Sequence, residues 1–438
     1  MTNANIIYVA YLCEQHCYIE VGGDLIDITP TGGMAAPPSN VGGYGDFQFG
    51  VLSYGTPRPG ENRRRRYAQT WSMDNWGDQL RVMTSYDGRL LGWDPNAALG
   101  TKLAAIANAP VANRSFIITP ERHIMLFGMG GKPDQFGWCD QENDTNWSFT
   151  DLASKAGFYD IEPSSPIVAN QLFSDGIYMV TMAANYLIRP IGLPYVYAYS
   201  EVADAPVPIS PLSINRIPDG VVWAALGGFW LFNGNSTTPI SCTIFDWIKK
   251  LINPSASIDR AYLGVIGNKS ELWWFFASKD DSTKNQYVAI YNFRENWWSM
   301  GKLSRTCAFV YGNEQYPMMS DGTHIFQHEY EFSYIPEAFP WAETFTLNAS
   351  AGNNLATFHQ MRPDVPRGRD ALRFSLKKSM DMSKPTVETQ SPQRSLFGDG
   401  VVDFRETARE FRLRIDMVAN DDWSIGPVLV DIRRRGEK

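Results

Sequence analysis

Apolar residues come in short bursts along this chain, and turn signals separate the bursts. The segment "YIEVGGDLIDI" (18–28) is apolar alternation broken at Gly22-Gly23-Asp24. Candidate hairpins recur in "LRVMTSYDGRLLGWD" (80–94), turning at Asp87-Gly88, and in "HIMLFGMGGKPDQFGW" (123–138), turning near Gly130-Gly131. "GIYMVTMAANYLIRPIG" (176–192) turns near Asn185, and "GGFWLFNGNSTTPI" (227–240) turns at Asn233-Gly234. "ELWWFFASKDDSTKNQYVAIYN" (271–292) passes through a polar loop at 279–286, and "YPMMSDGTHIFQHEY" (316–330) turns at Asp321-Gly322. Asn-Gly and Asp-Gly supply the positive φ values that tight hairpins require.

The turn centres are mostly about 40 to 55 residues apart, the length of one four-stranded propeller blade. The expected architecture for residues 1–335 is therefore a six- or seven-bladed β-propeller, with two stacked sandwich domains as the alternative. Helix signals are few. "FDWIKKLIN" (245–253) sets Phe245, Ile248 and Ile252 on one side and predicts a short helix, and "LGTKLAAIANA" (99–109) is a weaker case. Near residue 335 the pattern changes to clear period-2 alternation. Leu372, Phe374 and Leu376 form one row, Phe411, Leu413, Ile415 and Met417 a second, and Val428, Val430 and Ile432 a third. Such rows read as half-buried antiparallel strands and predict a small β-sandwich over 336–438.

Composition agrees with an all-β chain. Aromatic residues make up 13% of 438 residues, with 14 tryptophans, and aromatics suit a pleated, half-buried surface. The formal net charge is −8, so any nucleic-acid contact has to be a local patch. The five cysteines are odd in number and scattered, which argues against a disulfide framework and for folding in a reducing cytosol. The apolar run Ile6–Leu12 lacks the flanks of a signal peptide and is too short to span a bilayer, so no membrane insertion is expected.

Several stretches are familiar in their order. "WSMDNWGDQLRV" (71–82) precedes "DGRLLGWDP" (87–95). "NAPVANRSFIITPERHIMLFGMGG" (108–131) leads into "WCDQENDTNWS" (138–148). "YVAIYNFRENWWSMGKLSRTC" (287–307) runs on to "DGTHIFQHE" (321–329), and "RETAREFRLRI" (405–415) is followed by "WSIGPVLVDIR" (423–433). In this order they resemble the tail hub or nozzle proteins of tailed, mainly short-tailed, bacteriophages, also called packaged-DNA stabilisation proteins. The resemblance runs from about residue 18 to 435, and its weight comes from the ordered series. It implies a β-propeller with a C-terminal β-domain. It also implies a homohexameric ring below the portal or head-tail adaptor, which retains packaged DNA and forms part of the exit channel. Tail fibre, spike or needle proteins would lie below it. The expected location is the virion tail, assembled in the host cytoplasm. One departure is visible: the family tends to have a glycine between the basic residues before its final strand pair, whereas Glu406-Thr407-Ala408 separates Arg405 from Arg409 here.

The resemblance also covers "VGGYGDFQFGVLSYGTPRPG" (41–60), a Gly-aromatic segment within an insertion at about 41–66. Its Tyr44, Phe47, Phe49 and Tyr54 are candidates for a channel or interface loop, because such a segment builds no core of its own yet can anchor on a neighbour. A loop packed on its own subunit is the plain alternative. Arg63, Arg64, Arg65 and Arg66 follow directly, and Arg433, Arg434 and Arg435 form a second basic run. Non-specific contact with exiting double-stranded DNA suits the first run, and so does bidentate pairing with carboxylates of a neighbouring subunit. The second run is a candidate contact of the C-terminal domain.

Other motifs read as structural. "CEQHC" (13–17) lacks a second ligand pair for zinc, and on one strand Cys13 and Cys17 would share a face while His16 points away. His324 and His328 in "HIFQH" would lie about 13 Å apart along a strand, too far to share an ion. "SYDGRLLGW" (85–93) loosely matches a sialidase Asp-box, with Gly88 one residue early, and it occurs once. In Trp273-Trp274 and Trp297-Trp298, neighbours on a strand point to opposite faces. No catalytic residue, metal or cofactor is expected. A secreted or surface propeller that binds or hydrolyses glycans is the second reading, and a cytosolic scaffold the third.

Overall fold

Over most of the chain, each strand pairs antiparallel with the strand that follows it in sequence. The computed structural model describes residues 9–13, 16–21, 24–31, 71–85, 87–98, 100–174, 176–202, 205–281, 283–309, 316–321, 324–328, 339–344, 346–347, 354–380 and 389–435. These divide between two compact units, Met1–Phe326 and Gln327–Lys438. The break expected at residue 335 falls outside the described residues.

In the first unit the described strands form a three-stranded sheet, five four-stranded sheets and a further three-stranded sheet, all simple meanders. We number them blades 1 to 7. Blade 1 holds Val9–Cys13, His16–Val21 and Asp24–Asp27. Blade 2 holds Trp71–Trp76, Gln79–Thr84, Leu91–Trp93 and Ala104–Ala105, and blade 3 holds Ser115–Ile118, Ile124–Phe127, Gln135–Trp138 and Gly157–Asp160. Blade 4 holds Ile167–Phe173, Gly176–Thr181, Asn185–Pro190 and Tyr197–Glu201, and blade 5 holds Ile214–Ile217, Gly220–Ala225, Gly228–Phe232 and Thr237–Ile240. Blade 6 holds Tyr262–Ile266, Glu271–Ala277, Asn285–Asn292 and Trp297–Lys302, and blade 7 holds Cys307–Phe309, Met318–Ser320 and Ile325–Gln327. The first strands of blades 2 and 3, 4 and 5, 5 and 6, and 6 and 7 touch one another. That places the first strand innermost, and the unit is a β-propeller.

The second strands show why the blades stack. In Glu271–Ala277, Leu272, Trp274 and Phe276 join Val222, Ala224 and Phe229 of blade 5, while Trp273 and Phe275 join Met319 of blade 7. In Gly220–Ala225, Val221, Trp223 and Ala225 face Tyr178 and Val180 of blade 4. In Gly176–Thr181, Ile177 and Met179 face Met125 and Phe127 of blade 3. Each strand thus sends alternate side chains to two different neighbours, and both faces are dry. Full burial of one such large side chain contributes about 1.5–3 kcal/mol. Glycine opens the second strand at equivalent places in blades 4 and 5. A Cβ on Gly176 or Gly220 would lie 2.0 Å from the carbonyl oxygen of Ile188 or Phe232 respectively.

The helix expected around 245–253 is present as α1, Phe245–Leu251, with Ile248 buried among residues of blades 5 and 6. A second helix, α2, spans Pro254–Arg260 and follows at once. The Asn253 side chain caps it by accepting from the Ala256 N–H, and Pro254 stands in its first turn. The helix expected over 99–109 does not form. Ala104–Ala105 is instead the outer strand of blade 2, paired with Gly92 and Leu91, and Leu103 N–H donates to Ile28 O. The ladder takes the backbone groups a helix would have needed. "CEQHC" is corrected too: Val9–Cys13 and His16–Val21 are two strands of a hairpin, with Cys13 opposite His16 and Leu12 opposite Cys17.

The second unit is a β-sandwich. One sheet has the order Trp341–Glu343, Glu410–Met417, Leu372–Ser379, Thr389–Gln390. The other has Ala356–Pro363 between Val402–Ala408 and Val428–Arg434. Leu372, Phe374, Leu376, Phe411, Leu413 and Ile415 pack on Phe358, Met361, Val402 and Phe404. The register between Ala356–Pro363 and Val402–Ala408 shifts at Phe358/Gln360, and Arg405 takes φ 57° at that bulge. The αL residue in this stretch is thus an arginine.

Candidate interaction surfaces

Of the residues singled out in the sequence, Tyr44, Phe47, Phe49, Tyr54 and Arg63 to Arg66 lie outside the described residues. Arg433 and Arg434 end the last strand, Arg435 follows it, and all three are exposed. The Arg433 guanidinium lies 3.3 Å from Asp431, two residues back on the same face.

Three of the stretches quoted from the sequence, 71–82, 108–131 and 138–148, meet at one joint, between blades 2 and 3. Arg81, from the second strand of blade 2, donates to Asp144 at 2.8 Å through Nε and to Gln79 at 2.7 Å through an Nη. Arg81 and Asp144 are both buried, so each charge depends on the other. Trp147 Nε1 donates to the Asp144 carbonyl at 2.7 Å and holds the loop in place. On the adjoining first strands the Ile118 N–H donates to the Asp74 carboxylate at 3.4 Å, and from the turn that follows Ile118 the Arg122 guanidinium stacks 4.4 Å from the Trp76 ring. The surrounding protein raises the Asp74 carboxyl above its usual range, against the hydrogen bonds it accepts from Asn75 and Ile118. Sequence alone gave no sign of these pairs, because Arg81 and Asp144 are far apart in the chain. The same device recurs elsewhere: Asn170 Nδ2 donates to Ser115 Oγ at 2.6 Å, and Asn215 Nδ2 to the Leu263 carbonyl at 2.8 Å.

His123 is buried beside this joint. Its Nδ1 lies 2.8 Å from the Cys139 carbonyl, which can only accept, so Nδ1 carries the proton. Burial holds the imidazole below its ordinary pKa, partly opposed by the Cys139 carbonyl and by the charges of Glu121 and Asp140. Burial pushes the thiols of Cys17 and Cys139 up to about 12.

The solvent side of the first sandwich sheet is a compact charge network. Glu343 lies 2.6 Å from Lys377 and 3.1 Å from Arg412, while Arg414 pairs with Asp416 at 2.8 Å and stacks over Trp341 at 4.4 Å. These cations already have carboxylate partners. The opposite case is the strand Val428–Arg434, at the edge of its sheet, where Leu429 is 71% and Val430 43% exposed.

Exposed apolar side chains also collect on blades 3 and 4. Both loops between third and fourth strands carry them: Phe149 and Leu152 on blade 3, and Ile191, Leu193 and Tyr195 on blade 4. Phe149 stacks edge-on against Phe158 at 5.2 Å. In a meander these two loops emerge at the same end of the propeller.

Chemistry-bearing motifs take structural places. Among the described residues, no group of three or more His, Cys, Asp or Glu could hold a metal ion. His324 and His328 flank the strand Ile325–Gln327. Asp87 is engaged by Arg89 at the turn. Trp273 and Trp274 are buried on opposite faces. Trp298 packs 4.4 Å from Phe229, whereas Trp297 is exposed. Among the described residues no helix is long and apolar enough to cross a membrane.

No family model and no curated protein matches the chain. Among solved structures, it is similar to one titled "Dihydro-heme d1 dehydrogenase NirN in complex with DHE", with TM-score 0.42 and 9% identity over 89% of this chain and 74% of that one. "Streptogramin B lyase structure" aligns with TM-score 0.35 and 11% identity over 58% and 76%. "AfRom2 CNH domain" aligns with TM-score 0.33 and 9% identity over 60% and 84%. At this level the likenesses carry nothing about activity, and the propeller rests on the succession of sheets and shared cores.

Proposed function

We propose that the chain is a structural protein of a bacteriophage tail, a hub or nozzle subunit. Copies of it assemble into a ring below the portal or adaptor, retain the packaged DNA and wall part of its exit path. The observation that carries this reading is the order of architectures: a propeller and then a β-sandwich in one chain, in the order that the ordered sequence resemblance implies. The exposed apolar loops of blades 3 and 4 support it, since clustered apolar side chains mark protein contacts. An acidic chain with few arginine clusters suits passing rather than tight contact, because each neutralised phosphate adds affinity. The reading assigns no catalytic residue and no cofactor. It places the adaptor on one side of the ring and fibre, spike or needle proteins on the other.

Imaging intact particles that carry a tag on this chain tests the reading. Several tagged copies around the tail axis below the portal are expected. A chain absent from purified particles, or present as a single copy, overturns it. Replacing Arg63 to Arg66 by glutamine then separates two roles. Lost assembly assigns the run to a subunit contact, normal particles with altered genome retention assign it to the channel, and wild-type behaviour in both makes it a solvated loop.

A further inference from the structure

The two edges of the second sandwich sheet are not alike. The Val402–Ala408 edge is interrupted by the bulge at Arg405, a device that blunts an edge against pairing. The Val428–Arg434 edge runs seven residues; its ladder also shifts at Phe358/Gln360, but there the extra residue belongs to the central strand, and among the described residues no strand pairs with its outer side. Consecutive residues of a strand point to opposite faces, yet both Leu429 and Val430 are exposed. A seven-residue edge that begins with three apolar residues is a template for another strand.

The backbone direction and the charge order identify that strand. Arg435 N–H donates to the Leu355 carbonyl, and the Pro427 carbonyl accepts from Asp364 N–H. Odd-numbered residues therefore turn their main-chain groups to the central strand, and Val430, Ile432 and Arg434 turn theirs outward. Along the edge, three apolar residues precede Asp431, which precedes Arg433, Arg434 and Arg435. An antiparallel copy of the same strand centred on Ile432 lays Asp431 of each chain opposite Arg433 of the other, twice. It also lays Val430 against the aliphatic stem of Arg434 and forms about six main-chain hydrogen bonds. Moving the centre by one residue sets Asp431 against Asp431, or Arg433 against Arg433, which is unfavourable for directly opposite positions. Charge thus favours this register over its two immediate neighbours. Asp431 and Arg433 already lie together within one chain, so the paired strands would carry an alternating cluster of four charges.

We propose that the Val428–Arg434 edge pairs antiparallel with the same strand of a second copy of this chain, about a two-fold axis at Ile432. This goes beyond the ring reading and does not rest on it. An isologous contact joins two chains and closes, whereas a ring is built from heterologous contacts.

Sedimentation equilibrium of the full chain over a concentration series tests the pairing, using four variants whose melting curves are checked first. Asp431→Arg and Arg433→Asp each set like charges opposite one another and should weaken pairing about tenfold or more. The double swap Asp431→Arg/Arg433→Asp recreates the alternation and should restore it. Val430→Pro removes an outward N–H without touching the internal ladder and should weaken pairing while the sandwich still folds. A wild-type chain that never forms pairs overturns the proposal, as do single swaps without effect. A double swap as weak as the single ones also overturns it and points to a different partner strand.

Discussion

The middle strands of the propeller and the strands of the sandwich bury their side chains by different rules. Gly220–Ala225 is buried at every position, and Glu271–Ala277 at every position but the first. Glu410–Met417 alternates strictly between half-buried and buried. A propeller blade lies between two neighbours and keeps both faces dry, whereas a sandwich sheet turns one face to water. A substitution in a middle blade strand therefore disturbs one of two separate cores, chosen by the parity of the residue. In the sandwich there is one core, and the other parity faces solvent.

The largest expected effect tests that parity directly. Trp274 sits between blades 5 and 6, 5.3 Å from Phe229 and 4.8 Å from Phe276. Trp274→Ala should cost about 3–5 kcal/mol. Hydrogen exchange should show protection lost first in blades 5 and 6, with the sandwich strands unchanged. Equal loss in Glu410–Met417 would mean that the units unfold together and that the contrast has no energetic meaning.

A smaller effect concerns the tightness of the meander. Gly220 has φ +154°, and its missing Cβ would lie 2.0 Å from the Phe232 carbonyl oxygen. Gly220→Ala should cost about 1–3 kcal/mol. Gly227→Ala, in the next turn of the same blade, meets open space and serves as the control. If denaturant midpoints of the two variants coincide, close approach at the start of the second strand is not what fixes the blade.

The smallest effect is a pH dependence confined to the propeller. Burial lowers the folded pKa of His123 below its ordinary value. The unfolded chain then binds the proton more readily, so stability is fully present above the ordinary histidine pKa, about 6.5, and falls as pH drops through it toward the lower folded value. His123→Gln should flatten that acid limb in melting curves taken between neutral and mildly acid pH. An unchanged slope would show that other groups carry it.

The same contrast explains what could be read in the sequence. The sandwich strands were legible from period-2 rows such as Phe411, Leu413, Ile415 and Met417, because one wet face marks every second residue. The blades were legible from their turns, at Asp87-Gly88 and Asn233-Gly234, since a strand dry on both faces leaves no alternation. Helix α2 has a local signature in "NPSASIDR", a capping asparagine before proline at the first helical position. The segment 99–109 misled because its small apolar residues suit a helix locally, while Gly92 and Ile28 claim its backbone. The pairs at the blade 2–3 joint had no local signature, since Arg81 and Asp144 meet only once both blades exist. The free edge at Val428–Arg434 was visible in part, as a basic run, but its exposed Leu429 and Val430 look in sequence like any core strand.

The sequential meander of each blade has a consequence for how the chain comes off the ribosome. Blades 2 to 6 are each complete as a four-stranded sheet once their own stretch has emerged, and each needs only the preceding blade to cover one face. Synthesis and folding can therefore advance together, one sheet at a time, with short loop closures throughout. The sandwich cannot follow that schedule. Its strand Trp341–Glu343 pairs with Glu410–Met417 and must wait for it, so that sheet closes only after the strands between them have been made.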